Sequence, residues 1–195
     1  MRKNYSQYED EELIAMVQKQ DRRAFNELVI RYDSKILNFI NGYMNNFEMA
    51  QDLTQDTFYK IWKNADKYQP VAKFKTWAYT IAKNCALTEY RKIKRRNTYA
   101  FSQLSSKENE FTLERLEGKE NQELSNDNET VKQIRLAISQ LSDEFREIII
   151  LKDIQEHSYD EISSITGLPL GTVKSRINRG RQKIKEIIEQ NRRNS

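Results

Sequence analysis

The sequence predicts an all-α protein made of two helical domains joined by a flexible linker. The chain of 195 residues contains only 5 Gly and 2 Pro, which leaves little material for the many turns of a β fold. Apolar residues instead recur every three or four positions, the spacing that places them on one face of a helix. We expect the domains to cover residues 1–99 and 131–195, with the linker at 100–130.

The charge pattern divides the chain into the same three blocks. Residues 1–99 carry 18 basic and 12 acidic groups, residues 100–130 carry 3 and 8, and residues 131–195 carry 12 and 9. The middle block is also rich in Ser and Asn and poor in apolar residues. Such a composition cannot bury enough surface to offset the entropy of ordering, so it predicts a flexible linker. A solvated acidic loop without a role is the alternative reading.

The composition excludes several classes of protein. A single Cys cannot form an intramolecular disulfide, and one Cys with one His cannot supply a usual structural zinc site. No apolar run approaches the roughly 18–20 residues that span a bilayer, and no signal peptide is visible. We therefore expect a cytoplasmic protein with no metal, no cofactor and no membrane insertion. Cys85 is expected in the core and His157 on a surface turn.

Three helices are predicted before residue 66. The first is short, with Leu13, Ile14 and Val17 on one face. The second covers about 22–44 on apolar residues from Phe25 to Tyr43. The third covers about 48–64, and its inward residues are Ala50, Leu53, Thr57, Ile61 and Ala65. A separate face of this third helix carries Asp52, Gln55 and Asp56 at i, i+3 and i+4. From spacing alone, this polar face reads as solvated.

The fourth helix, about 74–95, carries two different stripes. Phe74, Ala78, Ile81 and Cys85 form an apolar stripe. The other stripe faces outward and consists of Thr80, Asn84, Leu87, Arg91, Lys94 and Arg95. Aromatic rings beside cations suit a single-stranded nucleic acid, because rings stack on bases and cations pair with phosphates. Whether Trp77 and Tyr79 serve that purpose or lie in the core stays open.

The C-terminal block predicts a helix-turn-helix. A helix on Val131, Ile134, Ala137, Ile138 and Leu141 comes first, and a second follows with Ser142 as its N-cap. Ser158 and Glu161 then form a capping box that opens a short helix ending at Gly167. Pro169 starts the next helix at once. Because that last helix is basic and polar on its outer side, it is suited to enter a major groove.

The outer residues of this last helix suit DNA chemically. Arg179 can form a bidentate pair with guanine, and Ser175 and Asn178 are also suited to base edges. The basic clusters at Lys83–Arg96 and Lys174–Ser195 are typical of a protein that binds a phosphate backbone. A solubilising helix surface is the alternative for either cluster alone.

Five motifs, in order and correctly spaced, resemble the sigma-70 family of bacterial RNA polymerase specificity subunits, and most closely its small extracytoplasmic-function (ECF) class. They are DLTQDTF at 52–58, FKTW at 74–77, IAKN at 81–84, YDEI at 159–162 and GTVKSR at 171–176. The resemblance implies a region 2 in the N-terminal domain and a region 4 in the C-terminal domain. It also implies three partners: the polymerase core (β′ coiled coil and β flap), promoter DNA and a separate anti-sigma factor.

The resemblance assigns roles to individual residues. Asp52, Gln55 and Asp56 become the surface for the β′ coiled coil. The −10 element, read in melted form, is assigned to Asn84, Trp77, Lys83, Lys73, Arg91 and Arg95. The −35 element, read as duplex, is assigned to the base-reading residues Lys174, Ser175, Asn178 and Arg179. Its phosphates are assigned to Thr172, Arg176 and Arg181.

The sequence departs from the family pattern at a few positions. Ser163 stands where Ala is usual, Ala78 where a larger aliphatic is common, and Asn178 at a variable recognition position. A stand-alone helix-turn-helix regulator is the alternative function, although it needs only one DNA-reading surface. An enzyme is disfavoured, since no phosphate loop, metal ligand set or nucleophile–base pair is visible and His157 stands alone.

Overall fold

The computed structural model describes residues 4–44, 46–104 and 129–194, and the regular structure in these ranges is entirely helical. The all-α prediction is therefore confirmed. Short 3₁₀ turns lie at Tyr5–Gln7 and Ala65–Lys67, and a π-helical turn lies at Ile150–Ile154. The α-helices are α1 (Asp10–Gln18), α2 (Arg22–Met44), α3 (Phe47–Lys63), α4 (Phe74–Leu104), α5 (Glu129–Ser139), α6 (Asp143–Ile149), α7 (Tyr159–Thr166) and α8 (Leu170–Asn194).

The N-terminal domain packs α2 and α3 as an antiparallel pair, with α1 and α4 against them. Asn46 fixes the start of α3, because its side chain accepts a hydrogen bond from the Met49 backbone N–H. A capping box between Glu9 and Glu12 opens α1. All the residues of α1 and α3 that were predicted to point inward, and Ala65 after them, are buried. These helices therefore follow from their local signals.

Helix α4 is longer than expected. It was predicted to end near residue 95, where the cationic run stops, but it continues to Leu104. No Gly or Pro follows before Gly118 in the sequence, so nothing stops the helix where its charge pattern changes. The first residues of the predicted linker thus belong to α4, and α5 begins at Glu129. The remainder, 105–128, lies outside the described residues.

The helix-turn-helix has the predicted capping chemistry. The Ser158 hydroxyl accepts from the Glu161 N–H while the Glu161 carboxylate accepts from the Ser158 N–H. Gly167 ends α7 with a φ of +74°, a conformation that favours glycine. Pro169 immediately precedes α8, and its carbonyl accepts the first helical hydrogen bond, from Val173. Ser142 precedes α6 as predicted, but its side chain makes no capping hydrogen bond.

The two domains touch each other. Helix α4 packs on α7, and α2 packs on the π-helical turn and on α5. His157 lies in this contact with its side chain fully buried. The prediction of a surface turn for His157 is therefore wrong, because the partner that covers it comes from the other domain. Cys85 is buried as predicted and accepts a hydrogen bond from Lys60 Nζ at 3.2 Å.

Within the described ranges, no helix combines the length and the apolar character needed to cross a bilayer.

Candidate nucleic-acid interface

The N-terminal half of α8 presents the four residues predicted to read bases. Lys174, Ser175, Asn178 and Arg179 are all exposed, while Val173 and Ile177 on the opposite side of the helix are fully buried. The buried side fixes the rotation of the helix about its axis. The exposed side therefore offers two cations, a hydroxyl and an amide together, which is the donor and acceptor set that base edges in a major groove require.

The turn between α7 and α8 is stabilised by hydrogen bonds within residues 163–168. Ser163 Oγ donates to the Leu168 carbonyl at 2.6 Å, and the Gly167 N–H donates to the Ser163 carbonyl at 2.8 Å. Thr166 Oγ1 accepts from the Leu168 N–H at 3.3 Å. An alanine at position 163 could not make the first of these bonds. The departure from the family pattern at Ser163 therefore adds a hydrogen bond that stabilises the turn.

Both arginines predicted to contact phosphates are paired with carboxylates of their own domain. Arg176 Nη2 lies 3.0 Å from Glu144 Oε2. Arg181 donates to both carboxylate oxygens of Asp153, from Nε at 3.1 Å and from Nη2 at 2.5 Å. Thr172 is half-buried at the start of the helix. These pairs orient the guanidinium groups beside the reading face, a feature that spacing along one helix could not reveal.

The outer face of α4 holds most of the residues predicted for the −10 element. Asn84, Lys73, Arg91 and Arg95 are exposed. Trp77 is half-buried, with its ring 5.3 Å from that of Tyr68 and 6.1 Å from that of Phe74. The two aromatics therefore differ: Tyr79 is buried in the core, and Trp77 is only half-buried.

Lys83 differs from its predicted surroundings. It is half-buried, and its Nζ donates to the backbone carbonyl of Ile165 at 2.8 Å. Ile165 belongs to α7, so the ammonium is bound to the C-terminal domain. In this arrangement Lys83 does not belong to the exposed cationic face of α4.

The polar face of α3 is solvent-exposed and contains an aromatic residue that spacing did not single out. Asp52, Gln55 and Asp56 are all exposed. Tyr59, at i+3 from Asp56 and i+4 from Gln55, is 62% exposed, and Lys63 Nζ lies 5.9 Å from its ring centroid. Tyrosine and charged neighbours together are typical of a protein-binding surface. The available signal was that Tyr59 falls outside the buried stripe of its own helix.

A half-buried carboxylate that the sequence did not single out, Glu147, lies near cations of both domains. Burial raises the pKa of Glu147, and the nearby charges of Lys83, Arg176 and Arg91 oppose that rise. One of its carboxylate oxygens, Oε1, has no hydrogen-bond partner among the described residues. Among the residues that the structure describes, no group of three or more His, Cys, Asp or Glu side chains is placed to hold a metal ion.

Two models of known protein families match this chain, one in each half. The family model described as "Sigma-70 region 2" matches residues 28–96, and the one described as "Sigma-70, region 4" matches residues 132–184. Together they cover more than half of the chain. The two matches fall on the two helical domains seen in the structure.

Two curated relatives are similar over nearly their whole length. The RNA polymerase sigma-H factor of Pseudomonas aeruginosa is 30% identical over 189 residues, which cover 94% of this chain and 96% of that protein. The ECF RNA polymerase sigma factor SigW of Bacillus subtilis is 32% identical over 177 residues, which cover 90% and 94%.

Two solved structures are similar in fold. CnrH in complex with the cytosolic domain of CnrY has a TM-score of 0.69 at 24% identity, covering 93% of this chain and 97% of that one. The sigma factor RpoE in complex with the anti-sigma factor NepR, from Bartonella quintana, has a TM-score of 0.64 at 25% identity. That match covers 85% of this chain and 96% of the other.

Proposed function

The chain belongs to the sigma-70 family, and we propose that it works as an alternative sigma factor of the ECF class. It binds the core of bacterial RNA polymerase and directs transcription initiation at specific promoters. The observation that carries this function is the presence of both regions in one chain, each with its own exposed, cation-bearing face. A stand-alone helix-turn-helix regulator is not favoured, because it would leave the region 2 match unexplained.

In this proposal the C-terminal domain reads the −35 element as duplex DNA. Lys174, Ser175, Asn178 and Arg179 meet base edges, which fits their common exposure on α8. Thr172, Arg176 and Arg181 meet the phosphates on either side. The carboxylates beside the two arginines hold their side chains near the groove edge, so fewer rotamers are lost when a phosphate is bound.

The N-terminal domain reads the −10 element in melted form. Asn84 lies in the pocket region for a flipped base, Trp77 offers a ring face, and Lys73, Arg91 and Arg95 pair with phosphates. Extruding a base costs a few kcal/mol of unstacking, which contacts in the pocket must offset. Lys83 joins this set only when it is released from Ile165.

The exposed face of α3 is the proposed surface for the polymerase core. Asp52, Gln55 and Asp56 contact the β′ coiled coil, and region 4 contacts the β flap. The domain organisation proposed for these tasks is region 2 at 1–99, an acidic linker at 100–130 and region 4 at 131–195. The protein supplies specificity to the chemistry of the polymerase, so we propose no catalytic residue of its own and a cytoplasmic location.

An anti-sigma factor is the proposed regulator. One solved relative is a sigma factor in complex with the anti-sigma factor NepR, and a protein of comparable role is proposed for this chain.

The decisive experiment is run-off transcription with purified core polymerase. Addition of the protein is expected to give discrete transcripts from promoters found at its genomic binding sites. The triple variant Asp52→Ala, Gln55→Ala, Asp56→Ala is expected to lose most of this activity while its C-terminal domain still binds −35 duplex. Core polymerase that gains no promoter selectivity from the wild-type protein would overturn the proposal.

A further inference from the structure

Helix α1 binds both ends of the exposed segment that precedes α4. We call this segment, residues 69–73, the α4 entry loop; every one of its residues is exposed, and Val71 is 90% exposed. The loop carries Lys73 and leads into the half-buried Trp77, two of the residues proposed for the −10 element. Because the loop buries no residue of its own, its shape depends on hydrogen bonds near its ends.

Gln18 binds the start of the α4 entry loop. Its side-chain Nε2 donates to the Ala65 carbonyl and to the Tyr68 carbonyl, at 3.0 Å in each case. The Tyr68 hydroxyl donates in turn to the Ala72 carbonyl at 2.8 Å, which joins the beginning of the loop to its end. A single side-chain amide therefore fixes the backbone at the point where the loop leaves the 3₁₀ turn.

Glu11 binds the other end of the loop and supplies a cap that α4 lacks locally. The Lys73 carbonyl accepts the first helical hydrogen bond of α4, from the Trp77 N–H at 3.2 Å, so Lys73 stands at the N-cap position. A lysine side chain has no acceptor and cannot cap the helix. Instead, Glu11 Oε1 accepts from the Phe74 N–H at 2.9 Å, from 63 positions away in the sequence.

The two residues act from one face of α1. They are seven positions apart, which is close to two helical turns, so their side chains lie above one another about 10 Å apart along the axis. Ile14 lies between them and is fully buried, which fixes the rotation of α1. Asp10, at the start of α1, binds Arg31 Nη1 at 2.8 Å and also the Tyr32 hydroxyl, both on α2. Helix α1 is therefore anchored independently of the loop that it holds.

We propose that Glu11 and Gln18 are positioning residues for recognition of the −10 element, because they hold the α4 entry loop in the shape that receives the melted strand. The inference rests on the proposed function and deepens it, since neither residue belongs to the surfaces assigned above. Both also precede residues 28–96, the part of the chain that the region 2 family model matches. They act through the backbone of the loop and do not touch DNA themselves.

A preformed loop matters because it loses less conformational entropy when it binds. Without the two anchors, the exposed residues of the loop sample other backbone conformations, and only a fraction of the protein has the loop ready for the strand. The apparent affinity then falls in proportion to that fraction. A hydrogen bond of ordinary net strength changes an equilibrium by about two- to tenfold, which sets the size of the expected effect.

The test compares variants that differ in their ability to make these bonds. Gln18→Met removes the donor at similar size and helix propensity, and Gln7→Met is its control, the same change at an exposed position before α1. Glu11→Met and Glu11→Gln both remove the charge, but only the glutamine retains an oxygen that can accept from the Phe74 N–H. The difference between these two variants therefore isolates the acceptor from the charge.

The functional readout is the affinity of each protein, assembled with core polymerase, for a single-stranded −10 oligonucleotide and for −35 duplex. Fluorescence anisotropy is expected to show about three- to tenfold weaker binding of the single strand by Gln18→Met and Glu11→Met. Glu11→Gln and Gln7→Met should bind the single strand as the wild type does. Binding of −35 duplex should be unchanged in all four variants, since region 4 is not altered.

Hydrogen exchange of the free protein gives a second, structural readout. Peptides that cover residues 65–74 should exchange faster in Gln18→Met and Glu11→Met than in the wild type, Glu11→Gln and Gln7→Met, because the loop backbone has lost an anchor. Circular dichroism reports the helicity of every variant. If Gln18→Met loses helicity, the comparison of Glu11→Met with Glu11→Gln decides the matter by itself.

Three results would overturn the positioning role. The first is wild-type affinity for the single strand in Glu11→Met, and the second is an equal loss of affinity for −35 duplex. The third is an equal loss in Glu11→Gln and Glu11→Met, which would assign the effect to charge. None of them touches the proposed function, which fails only if the wild-type protein gives core polymerase no promoter selectivity.

Discussion

The two surfaces that we propose read DNA are held in place by different means. The cations beside the reading face of α8 are paired inside their own domain, Arg176 with Glu144 and Arg181 with Asp153. On α4, Lys83 is bound instead to the backbone of the other domain. The surface proposed for the −35 element is therefore held within region 4, whereas the surface proposed for the −10 element includes a cation that is bound to region 4. The four predictions that follow test this contrast.

The largest effect, a loss of stability in region 4, is expected where α8 crosses α6. A Cβ at Gly180 would lie 2.8 Å from Ile149 Cγ1, so Gly180→Ala overpacks the core of region 4 and should cost about 1–3 kcal/mol of stability. The control is Gly171→Ala in the same helix, where nothing lies within 4 Å; it should gain up to about 1 kcal/mol from helix propensity. Thermal unfolding measures the stability of both variants. Equal changes in the two would mean that the close packing of Gly180 against Ile149 does not stabilise region 4.

The next effect is expected on the affinity and base-pair preference of region 4 for DNA. Arg179→Ala should cost about 1–3 kcal/mol in binding to −35 duplex and relax the preference at one base pair. Arg181→Ala is the matched comparison, since it should weaken binding to all sequences alike and lower the salt dependence. Competition binding with a set of single-base variants distinguishes the two. A uniform loss for Arg179→Ala would make Arg179 a phosphate contact instead.

A smaller effect is expected at the turn of the helix-turn-helix. Ser163→Ala removes the hydrogen bond to the Leu168 carbonyl and should cost about 0.5–1.5 kcal/mol. If the bond sets the angle of α8, binding to −35 duplex weakens even at temperatures where the variant is fully folded. Ser139→Ala, whose hydroxyl donates to the Leu136 carbonyl within its own helix and which lies outside the proposed DNA surface, controls for the general loss of a hydroxyl. Unchanged DNA binding by Ser163→Ala would limit its role to stability.

The smallest effect at neutral pH involves the contact between the two domains around the buried His157. Burial first, and then the charge of Lys75, lower the pKa of His157 to about 4, while Glu161 opposes the shift. Tyr79 also faces the ring, and Lys152 Nζ bonds the His157 carbonyl. While the domains are in contact, His157 resists the proton that it would bind if they separated. The contact should therefore be most stable above pH 6.5 and should weaken steadily as the pH falls towards 4.

Scattering at a series of pH values measures this opening, and His157→Gln should flatten the dependence because glutamine does not titrate. An expansion that survives in His157→Gln would point to the carboxylates around the contact rather than to the histidine.

Local chemistry explains which features could be predicted from the sequence. The capping box at Ser158, the left-handed Gly167 and the exposed side of α8 are decided by residues a few positions apart, and each was predicted. The exposed polar face of α3 was visible for the same reason. The roles assigned to these surfaces came from the family resemblance, since spacing alone favoured solvation for Asp52, Gln55 and Asp56.

The features that were missed depend on residues far apart in the chain. His157 was expected in solvent because nothing near it in sequence would bury it, whereas Tyr79, which covers it, belongs to the other domain. Lys83 had the pattern of a free cation for the same reason. The extent of α4 was missed because a change in charge, such as the one near residue 95, does not by itself stop a helix.

The placement of the tryptophans makes the N-terminal domain optically distinct. Both Trp residues of the chain belong to it: Trp62 packs on Phe25 with centroids 5.1 Å apart, and Trp77 packs on Tyr68 with centroids 5.3 Å apart. Fluorescence excited selectively at tryptophan therefore reports on region 2, because region 4 contains no tryptophan and does not contribute to the signal. Under the proposed role of Trp77, contact with the melted −10 strand is expected to quench this fluorescence in real time, without any attached dye.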